Sequence, residues 1–336
     1  MRLIQLFHPQ HGRRVAKVER SELIFIRPDY SSSYSLFEEI IEKESIPQEF
    51  IPKVLTDRTL NYEKVYENES SWKILPAFDH PGSPLFCMLS GTGLTHKASA
   101  ENRQNMHKKI EKESLTDSMQ MYLWGEEGGK PEAGSKKPGV QPEWFYKGNG
   151  TNLKACGEAL EVPSYGDDGG EEPEVAGIYM ISKEATPCRV GFAAANEFSD
   201  HVMEKKNYLY LAPSKLRTCS IGPELVIDSD FKDIRGRVAV TRNGEEIWEK
   251  KIRTGEQNMS HSLANLEYHH FKYAQHRIPG TVHIHFYGAD AFSFGEGIAL
   301  KDGDRISIQF EDFGKPLVNP IQINSKEEKP VTVRSF

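Results

Sequence analysis

The sequence predicts an α+β fold in which strands dominate, and two features carry that expectation. From Glu143 onward the chain runs in short apolar–polar alternations broken by turns, with few helical stretches. It also holds a hairpin signature: Val238-Ala239-Val240-Thr241 and Glu246-Ile247-Trp248 flank a turn built on Asn243-Gly244. A mixed β-roll or barrel accommodates such a pattern, whereas a doubly wound parallel sheet needs regular helical crossovers. A smaller N-terminal α/β domain is expected beside the roll. No glycine-rich phosphate loop stands between a strand and a helix.

In chain order, the first zone runs from residue 1 to 86. Strand-like pieces lie at Leu3–Phe7 and Leu23–Arg27. A helix is expected over Ser35–Glu44, with Leu36, Ile40 and Ile41 on one face and Ser32 to Ser35 as N-cap candidates. Leu75–Pro81, punctuated by two prolines, reads as a linker. The second zone opens with a short strand at Cys87 and enters a run of strong helix formers, Asn102–Met121. Residues 125–142 are rich in Gly, Pro, Glu and Lys and are expected to form a flexible loop or lid. The third zone adds alternating strands at Thr281–Tyr287 and Ile306–Phe310, the second preceded by an Asp302-Gly303-Asp304 turn, and a helix over Leu263–Ala274. Residues 87–336 form the larger domain in this division.

Composition narrows the function classes. Of 336 residues, 38% are hydrophobic and 27% charged, which fits a globular chain rather than a disordered one. The net charge of −7 and the lack of a long Lys/Arg block argue against nucleic acid as a partner. Four scattered cysteines without a Cys-x-x-Cys pair imply free thiols in a reducing compartment. The apolar start is too short for a secretory leader, and no apolar run reaches the roughly 20 residues of a membrane helix, so a cytoplasmic location is expected and no membrane partner.

Carboxylates supply the first chemical lead. In Glu171-Glu172-Pro173-Glu174, which precedes the apolar run Val175–Ile181, residues 172 and 174 point to one side of an extended chain. Pro173 suits a strand start. Two carboxylates held this close repel unless a cation lies between them, and hard divalent cations take oxygen ligands. The same fragment, with Asp167 and Asp168 nearby, also reads as an exposed acidic turn. Elsewhere, His283 and His285 lie two apart on a strand without a third ligand at metal spacing, so they read as polar strand residues. His269 and His270 diverge on a helix and do not make one site.

The order of several motifs resembles the fumarylacetoacetate hydrolase superfamily. Glu172-Pro173-Glu174 stands before a strand. Gly191-Phe192-Ala193-Ala194-Ala195-Asn196-Glu197-Phe198-Ser199 is similar to the family's strand ending Asn-Asp-x-Ser, with Glu197 in place of Asp. Lys215 and then Gly222-Pro223 follow. Within the superfamily the chain is most similar to the 2-keto-3-deoxyaldonate dehydratases. It shares Pro142-Glu143-Trp144-Phe145-Tyr146-Lys147-Gly148, the Leu209–Lys215 run, and Gly93–Arg103, in which His96 replaces a usual Tyr. The family's Gly-Thr-Pro-x-Gly loop is here Gly288–Ser293, where Ser293 stands in for the missing Thr.

The resemblance implies a Mg²⁺ site (Mn²⁺ or Ca²⁺ in its place) held by Glu172, Glu174 and Glu197. It implies Glu143 and Lys215 as catalytic groups, and Ser99, Arg103, Lys147 and Ser293 as contacts to a small 2-keto acid. The implied reaction is dehydration of a 2-keto-3-deoxy sugar acid through a metal-stabilised enolate, in a homodimer or higher homo-oligomer. The alternatives are a metal-dependent acylpyruvate hydrolase, a β-keto acid decarboxylase, and a sugar-acid binding protein without turnover. No His-x-x-Glu pair stands where the acylpyruvate hydrolases carry one, which favours dehydration.

Overall fold

The computed structural model describes residues 1–107, 116–132, 135 and 137–336. Two sheets organise them. In the larger, the strands run in the spatial order Leu55–Asn61, Glu22–Ile26, Gly12–Glu19, Arg2–His8, Leu225–Val226, Pro187–Asn196, Pro173–Ile181, Val282–Phe286, Cys87–Gly91 and Phe145–Asn149. Neighbours are antiparallel except Val282–Phe286 with Cys87–Gly91, which run parallel. The second sheet orders Glu245–Thr254, Ile234–Arg242, Arg305–Phe310, Leu317–Ile323 and Leu160–Val162, the last pair parallel. This mixed, strand-rich α+β arrangement is the expected one.

The central strands explain the sheet's position. All nine residues of Pro173–Ile181 are buried. Alternate side chains enter different cores: Ala176, Ile178 and Met180 join one cluster, while Val175 joins another with Phe192, Tyr287 and Leu317. Its partner strand divides likewise, with Ala193 and Ala195 to the first core and Phe192 and Ala194 to the second. A sheet apolar on both faces must lie between two layers, and each fully buried Val or Ile there contributes about 1.5–3 kcal/mol.

The hairpin forms on Ile234–Arg242 and Glu245–Thr254, longer than the expected core, with Val240 opposite Trp248. Asn243 and Gly244 both take positive φ, 53° and 84°, the geometry of a two-residue turn whose twist matches its strands. The first helix spans Ser33–Glu42, where Ser32 and Ser35 close a capping box and Leu36, Phe37 and Ile40 are buried. Ile41, expected on that face, is only partly covered.

Three boundaries differ from expectation. Within Asn102–Met121 there are two helices, Lys97–His107 and Asp117–Gly128, and residues 108–115 lie outside the described residues. Gly125–Gly128, expected in a loop, are the last turn of the second helix. Thr116 caps its start, and Gly125, whose Cβ would stand 2.8 Å from both Ser260 Oγ and His261 Nε2, lets the helix approach that segment. Of the rest of 125–142, residues 133, 134 and 136 lie outside the described residues. The third helix stops at Phe271, and a separate turn covers Ala274–His276. Among the described residues no helix is long and apolar enough to cross a membrane.

Candidate metal centre

Strand pairing assembles the site. Pro173 lies opposite Asn196 and Glu174 opposite Ala195, so the entrance of one strand meets the exit of the other. The Glu197 N–H donates to the Glu172 carbonyl oxygen at 2.9 Å and closes that end. Glu172, Glu174 and Glu197 are thereby brought together, all buried, each offering a carboxylate oxygen within 4.8 Å of the others. Among the described residues this is the one group of three acidic, His or Cys side chains close enough to hold a metal.

Two buried lysines face the triad. Lys215 Nζ donates to Glu172 Oε1 and Glu197 Oε2, each at 2.6 Å, and to Ser199 Oγ at 3.1 Å. Lys147 Nζ meets Glu197 Oε1 at 2.5 Å, the Phe198 carbonyl at 2.5 Å and the Lys215 carbonyl at 2.9 Å. All three of its ammonium donors are thus engaged by the protein. Glu174 has neither lysine. Its Oε2 accepts from the Gly288 N–H at 2.6 Å, its one protein hydrogen bond among the described residues.

Charge follows from these contacts. Burial, and then the Glu197 and Glu172 charges, push the Glu174 carboxyl well above its ordinary range. Burial likewise lifts Glu197, against the pull of Lys147 and Lys215, to about 7. For Glu172, burial is outweighed by Lys215 and His201, which hold it well below the ordinary value. Lys215 is raised: burial disfavours its charge, but Glu172 and Glu197 more than offset that. Three clustered carboxyls face two ammonium groups, and the one without a cation, Glu174, is the one held in its protonated form. An all-oxygen, buried donor set with more carboxyls than cations fits a hard divalent cation, which would take the place of that proton.

The other expected residues lie around this centre in different ways. Glu143 Oε1 accepts from Arg103 Nη1 at 2.7 Å, and Arg103 Nε meets Glu204 Oε1 at 2.6 Å. Glu143 Oε2 is buried without a partner among the described residues. Ser99 lies one helical turn before Arg103 on Lys97–His107 and is partly covered. Ser293 is turned to a residue outside the expected set: its N–H (2.5 Å) and hydroxyl (2.8 Å) both donate to Glu171.

Glu171, His201 and Glu204 are the contributors that sequence reasoning missed. Glu171 is fully buried, not part of an exposed acidic turn. His201 Nε2 bonds Glu172 Oε1 at 3.0 Å while its ring stacks on Phe292. A signal for the last two existed: Asp200 caps the short helix His201–Lys206, and the i, i+3 spacing puts His201 and Glu204 on one face.

The histidines read as polar strand residues lie on the strand Val282–Phe286 and are buried. His283 Nδ1 is bonded to His270 Nε2 at 2.9 Å, and His285 lies between Ser90 (2.9 Å) and Thr92 (2.8 Å). Burial lowers His283 and His285 each to about 3, so they are neutral core groups.

No family model matches the chain. It is 31% identical over 121 residues to a probable 2-keto-3-deoxyxylonate dehydratase of Haloferax volcanii, covering 34% of this chain and 40% of that protein. It is 25% identical over 193 residues to a 2-dehydro-3-deoxy-D-arabinonate dehydratase of Saccharolobus solfataricus, covering 56% and 61%. The chain thus spans less than two thirds of each of these curated relatives. Among solved structures, 2-keto-3-deoxy-D-arabinonate dehydratase complexed with magnesium and 2,5-dioxopentanoate superposes with a TM-score of 0.70 at 19% identity, covering 97% of this chain and all of that one. A 5-carboxymethyl-2-hydroxymuconate delta-isomerase from Mycobacterium smegmatis gives 0.58 at 17%, covering 96% and 100%. The chain has the fumarylacetoacetate hydrolase-type fold, as its motifs implied. Its two curated relatives are sugar-acid dehydratases.

Proposed function

We propose that the protein is a Mg²⁺-dependent dehydratase of a 2-keto-3-deoxy sugar acid. The observation that carries this reading is the buried triad of Glu172, Glu174 and Glu197, with Glu174 left without a cation of its own. When bound, Mg²⁺ supplies Lewis-acid stabilisation of the negative charge that develops on a 2-oxo acid when carbon 3 loses a proton. The dehydratase names of the two curated relatives, and the magnesium in one solved structure of the same fold, support it.

The chain's own residues then divide the proton work. Glu143 is the proposed base toward carbon 3: Arg103 orients one oxygen, and the other carries no hydrogen bond. Lys215, held charged between Glu172 and Glu197, is the proposed donor to the hydroxyl leaving carbon 4. Removing a carbon-3 proton and that hydroxyl releases one water. With a five-carbon substrate, moving a carbon-5 proton to carbon 3 leaves an enol across carbons 4 and 5, and transfer of its hydroxyl proton to carbon 4 gives 2,5-dioxopentanoate. Lys147 fixes the strand carrying Glu197 against the Lys215 turn, and Ser99 and Arg103 line the approach to Glu143.

The test is an assay of the purified chain with 2-keto-3-deoxypentonates and hexonates, with and without Mg²⁺, following products by NMR. A dioxo acid formed only with the metal is expected. Carbon–carbon cleavage products from acylpyruvates, or no turnover of any sugar acid, would overturn the reading.

A further inference from the structure

Buried polar atoms without partners concentrate around the site. Among the described residues there are nine such side-chain atoms, and His96 Nε2, Gln104 Oε1, Glu143 Oε2 and Ser260 Oγ belong to the turn Thr92–His96, the helix after it, or residues touching them. An unpaired buried acceptor is costly, so a cluster of them in one place points to donors that arrive from outside.

His96 is the most informative. It is 1% exposed, and burial lowers it to about 3, so the ring is neutral. Its tautomer follows from its neighbours. The Thr95 hydroxyl has a single proton and gives it to the Tyr287 carbonyl at 2.7 Å. Thr95 Oγ1 therefore accepts from His96 Nδ1, 2.9 Å away, which places the imidazole proton on Nδ1. Nε2 is left as a bare lone pair, an acceptor with no donor among the described residues.

Placement ties the turn that carries this lone pair to the centre. On one side of the turn, a Cβ at Gly93 would collide with Glu143 Oε2. On the other, Gly288 packs its Cα against Thr95 Oγ1 and gives its N–H to Glu174. The turn carrying His96 thus lies between the proposed base and the anchor of a triad carboxylate.

We infer that His96 is a specificity-determining residue whose Nε2 accepts a hydrogen bond from a substrate hydroxyl that the elimination leaves in place. This rests on the dehydratase reading and extends it. Lys215 is the proposed partner of the leaving hydroxyl, so Nε2, which has no proton to give, is assigned to a hydroxyl that stays. A binding pocket that leaves an acceptor unpaired discriminates strongly against a ligand lacking the matching hydroxyl.

The experiment is calorimetric binding of three non-eliminating probes to the Mg²⁺-loaded protein: 2-oxopentanoate, 5-hydroxy-2-oxopentanoate and 6-hydroxy-2-oxohexanoate. None has a carbon-4 hydroxyl, so binding is read without turnover. The wild type should bind one hydroxylated acid roughly tenfold or more tighter than 2-oxopentanoate. His96→Phe should bring that ratio near one, and His96→Gln, which keeps an acceptor, should restore part of it. If His96→Phe fails to fold, the wild-type ratio and His96→Gln decide. Equal binding of all three acids by the wild type, or an unchanged ratio in His96→Phe, would overturn the role of His96. If no 2-oxo acid binds the Mg²⁺-loaded wild type, the dehydratase reading falls, and this inference with it.

Discussion

Glu174→Gln separates metal binding from folding more cleanly than any other change at the centre. Glu174 touches the protein through one hydrogen bond, from the Gly288 N–H, and glutamine keeps an oxygen to accept it. No lysine is stranded by the exchange, because Lys147 and Lys215 pair with Glu172 and Glu197. In the wild type, Mg²⁺ at 100 times its Kd should add about 2.7 kcal/mol of stability. Losing a direct carboxylate ligand should weaken affinity by at least the roughly 100-fold that loss of an outer-shell partner reaches. At the same concentration the variant then gains about 0.4 kcal/mol. At ~2–4 °C per kcal/mol, thermal melts should rise by roughly 5–10 °C in the wild type and by about 1 °C in the variant. The metal-free proteins should differ in the opposite sense. Folding raises the Glu174 carboxyl, so the stability it supplies is full below the ordinary glutamate value and lost as pH rises through the folded value. Glutamine has no proton to lose, so metal-free Glu174→Gln should gain on the wild type as pH rises. Equal Mg²⁺-induced shifts in the two proteins would refute the assignment of Glu174 as a ligand.

Other outcomes follow from the same contacts. Lys215→Met should lower kcat by roughly 10²–10⁴-fold without rescue by excess Mg²⁺, whereas Glu172→Gln should be partly rescued; a Lys215→Met enzyme that loses only substrate affinity would make Lys215 an orienting charge. Mg²⁺ affinity should fall by at least about tenfold per unit as pH drops below about 7, because Glu197, like the raised Glu174, must shed its proton to ligate; calorimetry at pH 6 and 8 showing equal affinity would contradict this. Gly93→Ala drives a Cβ into Glu143 Oε2 and should cost turnover while the Mg²⁺-induced rise in melting temperature stays that of the wild type, a split that paired kinetic and melting measurements would read.

The sequence showed those parts of the fold whose causes are local. Asn243-Gly244 dictates its turn wherever it sits, so the hairpin was legible, although its strands run on to Ile234 and Thr254 because the second sheet continues to pair them. The helix near Ser33 declared its cap. The course of residues 125–128 was hidden, because glycines that usually break a helix here allow one to pack against Ser260 and His261, a contact 135 residues away in the chain. What surrounds His283 and His285 was hidden for the same reason. Their partners, His270, Ser90 and Thr92, come from other elements, and periodicity says which way a side chain points but not what it meets.

At the centre the same distinction separates the three glutamates from the groups that set their charge. The three glutamates were readable through motif order. Of the groups that set their charge, Lys147 and Lys215 were named from the same motifs for other roles, whereas His201 on Glu172 and the Gly288 amide on Glu174 were not, since each meets its partner only through the fold. The consequence is an asymmetric triad. Glu172 is held ionised by Lys215 and His201, Glu197 is shared between two lysines, and Glu174 has only a neutral donor. A site built solely to bury ion pairs would have matched each carboxylate with a cation, because a buried unpaired charge costs several kcal/mol. The carboxyl left unmatched keeps its proton instead, and Glu174 is where an incoming cation would take that proton's place.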